Sequence, residues 1–221
     1  MEDKVIRPAV RAVIFDLDGL LINSEVYTLA FYQKLTAPYG SPVTRDFFIA
    51  HLSGHTADSN AALLIGRYHM PLTVQDVLSL QEANDAQNLI TGIPLKKGAR
   101  ELLAYLRSRQ IRILLATSSW RSRAEKFLEK NGVLDYFDDM VCSEDFENSK
   151  PAPDVFLAAQ AKSGEAKENC LVLEDSEAGV QAAHNAGIRV ICVPDMKKPT
   201  PETAALAYAV LPDLNAAAAL I

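Results

Sequence analysis

Four short stretches of this chain carry residue types suited to phosphate and hard metal ions. The first is Phe15-Asp16-Leu17-Asp18-Gly19, two carboxylates one residue apart at the end of an apolar run. Acids this close at a sheet end are costly unless something neutralises them. A Mg²⁺ ion, which favours oxygen ligands, would do so. The second stretch is Ala116-Thr117-Ser118-Ser119, ahead of a helical pattern from Trp120 onward. Its hydroxyls and backbone N–H groups suit an anion. The third is Ser149-Lys150-Pro151-Ala152-Pro153-Asp154. Here prolines fix a turn and could aim Lys150 at a phosphoryl oxygen, where its charge would offset developing negative charge. The fourth is Leu173-Glu174-Asp175-Ser176, a further acid pair, followed by a helix whose Gly179 allows close backbone approach. Singly, the first three also have plain readings as a turn, a helix cap and a solvated lysine. Together they form one chemical set: acid pair, hydroxyls, lysine, acid pair.

Each stretch follows a short apolar run, and the runs predict what positions them. Ala9–Phe15, Ile111–Ala116, Met140–Cys142, Cys170–Leu173 and Arg189–Val193 are mostly continuous Val/Ile/Leu segments, the pattern of parallel strands buried on both faces. Val210–Leu211 is a candidate late edge strand. Helical patterns lie between them at Gly98–Arg109, Arg121–Lys130, Asp154–Ala161 and Glu177–Ala186. Two of these stop at Asn131–Gly132 and at Gly187. The alternation predicts an α/β fold, a Rossmann-like doubly wound parallel sheet. In such sheets the active site lies beyond the carboxyl ends of the strands, where all four stretches fall.

One long segment breaks the alternation. From about Leu21 to Gly92 there is no strand-like run. Helices are predicted at Glu25–Ala37, Thr44–His51, Ala57–Tyr68 and Thr73–Ile90, divided by Pro38, Pro42, Gly54 and Pro71. The domain reading is therefore a catalytic core of residues 1–20 and 93–221 with an inserted all-helical cap at 21–92. Leu20–Ser24 and Thr91–Pro94 are the candidate hinges.

Composition narrows the functional classes. The chain has 221 residues, 49% hydrophobic and 23% charged, which are globular values and exclude disorder. Its net charge of −6 argues against a nucleic-acid groove. No apolar run approaches the roughly 20 residues of a membrane span. The start, Met1-Glu2-Asp3-Lys4, is acidic where a signal peptide is basic, so a cytoplasmic protein is expected. Cys142, Cys170 and Cys192 sit in or beside apolar runs without a C-x-x-C pair, which reads as core packing rather than zinc binding. His51, His69 and His184 lie in helical patterns and read as structural or solvated, and Trp120 either lines the cleft or packs at the helix start.

Asp16-x-Asp18-Gly19, Thr117-Ser118, Lys150-Pro151 and Glu174-Asp175 resemble the four motifs of the haloacid dehalogenase-like superfamily of phosphohydrolases. The phrases Phe15-Asp-Leu-Asp-Gly-Leu-Leu-Ile-Asn-Ser-Glu25 and Leu173-Glu-Asp-Ser-Glu-Ala-Gly179 carry the resemblance most specifically, and it covers essentially the whole chain. The inserted helices resemble the small-capped branch, which includes β-phosphoglucomutase and many sugar-phosphate phosphatases. The resemblance implies Asp16 as nucleophile, forming an aspartyl-phosphate, and Asp18 as general acid and base. It implies Mg²⁺ between the Asp16 carboxylate, the Asp18 backbone carbonyl and Glu174 or Asp175, with Thr117, Ser118 and Lys150 on the phosphoryl oxygens. An acid at position 18 speaks for phosphate esters, because a leaving halide needs no proton. The Lys-Thr-Gly-Thr that follows the nucleophile in ion-pumping ATPases is absent.

Two departures bear on the substrate. Asn23-Ser24-Glu25 stands where the family pattern has Asp-Ser/Thr-Glu. Thr28 and Ala57 stand where β-phosphoglucomutases carry a His and an Arg. A mutase must hold the second phosphate of a bisphosphate, so losing both groups favours a phosphatase. The expectation is a Mg²⁺-dependent phosphatase of a small phosphorylated metabolite, a sugar or polyol phosphate, acting as a monomer. An intramolecular phosphotransferase is the alternative, with Arg45 or Arg67 as replacement cations. A phospho-acceptor switch of the receiver type fits less well, since receivers are shorter and have no cap. In the cap, His55, Asp58 and Glu25 are the candidate substrate contacts.

Overall fold

A computed structural model describes residues 9–221. The acidic start of the chain, on which the targeting expectation rested, lies outside them. Six strands, β1 (Ala12–Phe15), β2 (Arg112–Ala116), β3 (Asp139–Val141), β4 (Cys170–Glu174), β5 (Arg189–Cys192) and β6 (Ala209–Val210), form one sheet in the order β3-β2-β1-β4-β5-β6. Every pairing is parallel. Successive side chains of a strand point to opposite faces, and both faces here are covered. Val13 and Phe15 of β1 pack into one apolar cluster, Ala12 and Ile14 into the other.

Helices α5 (Ala99–Ser108), α6 (Arg121–Lys130), α7 (Asp154–Ser163), α8 (Glu177–Ala186) and α9 (Pro201–Leu206) accompany the sheet. α5 buries Leu102, Leu103 and Leu106 from a single stripe. The alanine-rich end of the chain is ordered, a 3-10 segment at Leu214–Leu220 whose buried Leu214 and Ala217 join the cluster on the α5 side. Neither this segment nor α9, which starts at Pro201 under a Thr200 cap, follows from hydrophobic periodicity. All three cysteines are buried and free, in keeping with core packing. Among the described residues no helix is long and apolar enough to cross a membrane.

Between β1 and α5 run α1 (Ser24–Thr36), α2 (Arg45–His51), α3 (Ala57–Tyr68) and α4 (Val74–Thr91). They enclose their own apolar cluster around Tyr32, Phe48, Leu52 and Leu64. Threonines at the helix starts account for their boundaries: Thr44 and Thr56 cap α2 and α3, and Thr73 forms a capping box with Asp76 on α4. The two connecting stretches lie side by side. Asn23 N donates to Pro94 O at 3.0 Å, and Lys96 N to Leu21 O at 2.8 Å. Leu20, Leu21 and Ile22 are buried in the sheet's cluster, so only the polar end of the first connector is free of the sheet's core.

Register brings three of the four motifs level, and the Lys150 motif lies in the loop between β3 and α7. Phe15 pairs with Leu115 on one side and Leu173 on the other. The next residues, Asp16, Ala116-Thr117 and Glu174, therefore leave the sheet together at its carboxyl edge.

Candidate active site

Asp16 follows directly on β1, with its backbone N–H donated to Leu173 O at 3.1 Å, which pins it beside the end of β4. It is a buried carboxylate, 6% exposed. Lys150 Nζ donates to Asp16 Oδ1 at 2.5 Å and to Glu174 Oε1 at 2.7 Å. The other oxygen of Glu174 accepts from Ser176 N at 2.7 Å and Ser176 Oγ at 2.9 Å. One ammonium thus bridges two acids that would otherwise repel each other without screening by water. Burial pushes the Asp16 carboxyl up to about 7, with Lys150 pulling the other way and Glu174 adding to the rise. Burial alone would lower the Lys150 pKa, but Asp16 and Glu174 raise it, so it stays cationic.

Asp175 adds a third acid without an ion-pair partner among the described residues. One oxygen each of Asp16, Glu174 and Asp175 lie within 4.8 Å of one another. Burial, then Glu174 and Asp16, raise the Asp175 pKa well above the ordinary carboxylate value. Backbone without side chains shapes both flanks. A Cβ at Gly19, whose φ of +83° favours glycine, would meet the Asp175 carboxylate, and one at Gly179 would meet that of Glu174. Three hard oxygen donors converge with one lysine to offset them, a donor set that fits a divalent cation such as Mg²⁺.

Asp18 lives in different surroundings, and they include a residue that the sequence reading missed. Arg123 of α6 grips the carboxylate with both forks: Nη1 donates to Oδ2 at 2.7 Å and Nη2 to Oδ1 at 2.9 Å. Ser119 Oγ donates to Oδ2 at 2.8 Å. Burial pushes the Asp18 carboxyl up, but the Arg123 charge and these hydrogen bonds prevail and hold it below its ordinary value. The available signal was spacing: Ser119 and Arg123 are four residues apart at the start of a helix, the separation that puts side chains on one face. Thr117 is buried and its Oγ1 accepts from Ser119 N at 3.0 Å, while Ser118 is exposed at the cavity. The helix start here is α6 at Arg121, whose N–H is already taken by Glu144 Oε1 at 3.0 Å. Trp120, just before α6, is 65% exposed and stands outside the cavity lining, so it does not line the cleft.

These groups floor a cavity of about 710 Å³ between the sheet edge and the inserted helices. That volume suits a small metabolite. Glu25 and His55 line its wall, as do Thr28 and Ala57. Glu25 accepts from Ser53 Oγ at 2.6 Å and from Met196 N at 3.4 Å, which ties the start of α1 to the loop after β5. Asp58 is corrected: it is exposed in the first turn of α3 and does not line the cavity. An acid in a helix's first turn complements the helix dipole, which accounts for its place there. Neither replacement cation reaches the site. Arg67 lies 4.3 Å from the centre of the Phe47 ring, and Arg45 is exposed in α2.

The family described as "Haloacid dehalogenase-like hydrolase" matches residues 13–193, the span that holds all four motifs. The chain belongs to this family. A haloacid dehalogenase-like hydrolase of this outline is also found in solved structures. One from Deinococcus radiodurans, with bound phosphate and sodium, superposes with a TM-score of 0.81 at 25% identity, covering 96% of this chain and 95% of that one. Among sequence relatives is a "Probable pseudouridine-5'-phosphatase" of Drosophila melanogaster, 36% identical over 203 residues, or 88% of this chain and 86% of that protein. A "Phosphorylated carbohydrates phosphatase" of Thermotoga maritima is 31% identical, over 81% and 83% of the two chains. A β-phosphoglucomutase of Bacillus subtilis is 30% identical, over 83% of each. This haloacid dehalogenase-like hydrolase is a phosphoric monoester hydrolase, a phosphatase of phosphorylated small metabolites.

Proposed function

We propose a Mg²⁺-dependent phosphatase of sugar or polyol monophosphates that works through phosphoryl transfer to Asp16. The observation that carries this reading is the buried convergence of Asp16, Lys150, Glu174 and Asp175 at the floor of a cavity. Asp16, Glu174 and Asp175, with the Asp18 backbone carbonyl, would hold the ion. Bound there, it supplies positive charge that lets a carboxylate and a phosphate dianion approach.

The protein's own groups do the rest. An Asp16 oxygen attacks phosphorus in line with the ester oxygen, which departs with the electron pair of the broken P–O bond. Lys150, Thr117 and Ser118 hold the equatorial phosphoryl oxygens as charge redistributes. Asp18 gives the leaving oxygen its proton, then takes one back from the water that hydrolyses the aspartyl-phosphate. The Arg123 grip favours the ionised form of Asp18, which the second step requires; for the first step Asp18 has to take up a proton, which loosens that grip. Residues 21–92 serve as a cap that closes over the ester.

Release to water is favoured over transfer within the substrate. Thr28 and Ala57 present no cation to a second phosphate, and Lys197, on the wall, is paired with Glu177 at 2.6 Å. Phosphate release should be measured over a panel of sugar and polyol phosphates with Mg²⁺ and with chelator. Release that needs Mg²⁺, with radiolabelled phosphate trapped on Asp16 after acid quench, is expected. Full activity in excess chelator, or isomerisation outpacing phosphate release when bisphosphate is added, would overturn it.

A further inference from the structure

Helix α4 runs from one apolar cluster to another. Val77 near its start is buried in the cluster of the inserted helices, whereas Leu89 near its end packs against the sheet's cluster, which holds Phe127 of α6. α4 and α6 touch along this seam. Gln81, Asp85 and Asn88 are four and three residues apart, the spacing that puts side chains on one face. Gln81 lines the cavity and accepts from the Tyr32 hydroxyl at 3.5 Å, and Asn88 is buried. Asp85, between them, is half-buried and takes a hydrogen bond from the Asn88 side chain. This face of α4 is turned to the core, yet Asp85 itself does not line the cavity.

The charges across the seam are complementary. α4 carries Asp76, Glu82 and Asp85 and no basic residue. Asp76 is engaged in the capping box and Glu82 is exposed. On α6, Arg121 is paired with Asp145 at 2.6 Å, and the Arg123 guanidinium lies 4.9 Å from the centre of the Phe127 ring. The side-chain hydrogen bonds of Arg123 go to Asp18 and Ser119, so what reaches Asp85 is its charge. Burial raises the Asp85 carboxyl, Arg123 pulls it down, and Asp18 opposes Arg123 more weakly. The net interaction across the seam is attractive.

Asp18, Ser119 and Arg123 all belong to the sheet's side of the seam, so their bonds persist wherever the inserted helices stand. The attraction to Asp85 exists only while α4 rests on α6. A contact made in one state and not in another shifts the balance between them. Resting on the reading of residues 21–92 as the cap of a phosphatase, we propose that Asp85 is a positioning residue whose charge draws α4 onto Arg123 and so holds the cap over the phosphate site without touching substrate.

The test measures kcat/KM for the ester that the wild-type protein hydrolyses best. Asp85→Asn keeps the side chain's shape and removes its charge, and should cost about three- to fivefold, the order of a partly screened charge pair. Asp85→Lys, which Arg123 repels, should cost about tenfold or more, and Asp85→Glu should keep most of the rate. In an Arg123→Gln background, Asp85→Asn should cost less than about twofold further, a non-additivity that a merely structural role for Asp85 would not give. The full Asp85→Asn loss in that background, or an Asp85→Lys variant within about twofold of wild type, would overturn the assignment. If Asp85→Lys does not fold, the Asp85→Asn pair of measurements decides alone. If the wild-type protein hydrolyses no ester, the phosphatase reading fails by itself. Small-angle X-ray scattering then decides this one: Asp85→Lys should have a larger radius of gyration than wild type, and equal radii would overturn it.

Discussion

The floor and the wall of the cavity are built on opposite plans. On the floor, charges are answered by the protein itself: Lys150 bridges Asp16 and Glu174, Ser176 completes Glu174, and Arg123 with Ser119 completes Asp18. Among the described acids of the floor only Asp175 lacks an ion-pair partner, and it stands with Asp16 and Glu174 where a cation fits. On the wall, neutral side chains such as Thr28, Phe48, Leu52 and Ala57 stand among the few charged ones. The difference separates two tasks. Phosphoryl transfer needs groups fixed before substrate arrives, since reorganisation during the reaction is costly. Selection works through the shape and polarity of the surface that the leaving group meets. Substitutions on the floor should therefore lower turnover of every ester, and substitutions on the wall should change which ester is preferred.

The hardest test of the floor is Asp16→Asn. The amide is a poor nucleophile and withdraws a charged oxygen from the cation site, so turnover should fall by roughly 10³-fold or more on all esters. The buried carboxylate is costly in the folded state, its pKa lifted to about 7, so thermal unfolding should show no comparable loss of stability. Residual activity above a few per cent would remove Asp16 from the chemistry.

Gly179→Ala probes how tightly the floor is fitted. The new methyl would meet the Glu174 carboxyl, which is held by Lys150 and Ser176 and has nowhere to retreat. Overpacking of this kind costs about 1–3 kcal/mol. Activity should drop by about a hundredfold, and the Mg²⁺ concentration for half-maximal rate should rise. A variant with wild-type Mg²⁺ dependence would show that Glu174 does not serve the cation site.

How the floor came to be readable in sequence, and the wall did not, follows from the same division. Asp16, Thr117 and Glu174 are placed by parallel register, and register follows from continuous apolar runs such as Val13-Ile14-Phe15 and Leu171-Val172-Leu173. Local order therefore carried the sheet, the helical insertion and the four motifs. Arg123 was not readable, because its role depends on where α6 sits relative to Asp18, 105 residues away in sequence. The place of Asp85 depends on how α4 packs against α6 in the same way. Asp58 was misassigned because a loop's polar residues look alike in sequence, whereas burial separates Asn60 from its neighbour two positions earlier.

Arg123→Ala sharpens the boundary between the two plans, since Arg123 acts on the floor without lining the cavity. Freed from its bidentate partner, Asp18 keeps only the Ser119 hydroxyl among its side-chain hydrogen bonds described above. With the ionised, oriented form of Asp18 disfavoured, hydrolysis of the aspartyl-phosphate should slow by about ten- to a hundredfold, alike for alkyl phosphates and p-nitrophenyl phosphate, and phosphoenzyme should accumulate. Arg123→Lys, which keeps charge but not the fork, should recover only part of the rate. A loss without accumulated phosphoenzyme would make Arg123 a structural residue of α6 rather than a positioning residue for Asp18.

The smallest expected effect belongs to Asp58→Asn, and it is informative because its neighbour Asn60 should behave otherwise. Asp58 and Asn60 both stand in the first turn of α3, below the Thr56 cap. Helical geometry turns them about 200° apart, so when one faces the interior the other faces solvent. Asn60 is the buried one, and Asp58 is exposed outside the cavity lining. Removing its charge loses a favourable interaction with the helix N-terminus, a few tenths of a kcal/mol at an exposed site. Turnover and ester preference should stay within about twofold of wild type, with a slight fall in melting temperature. If Asp58→Asn instead changed the preference among ribose 5-phosphate, uridine 5'-monophosphate and 2-phosphoglycolate, the side of α3 that meets substrate would be the one now turned to water. The wall would then have to be redrawn around the residues of that side.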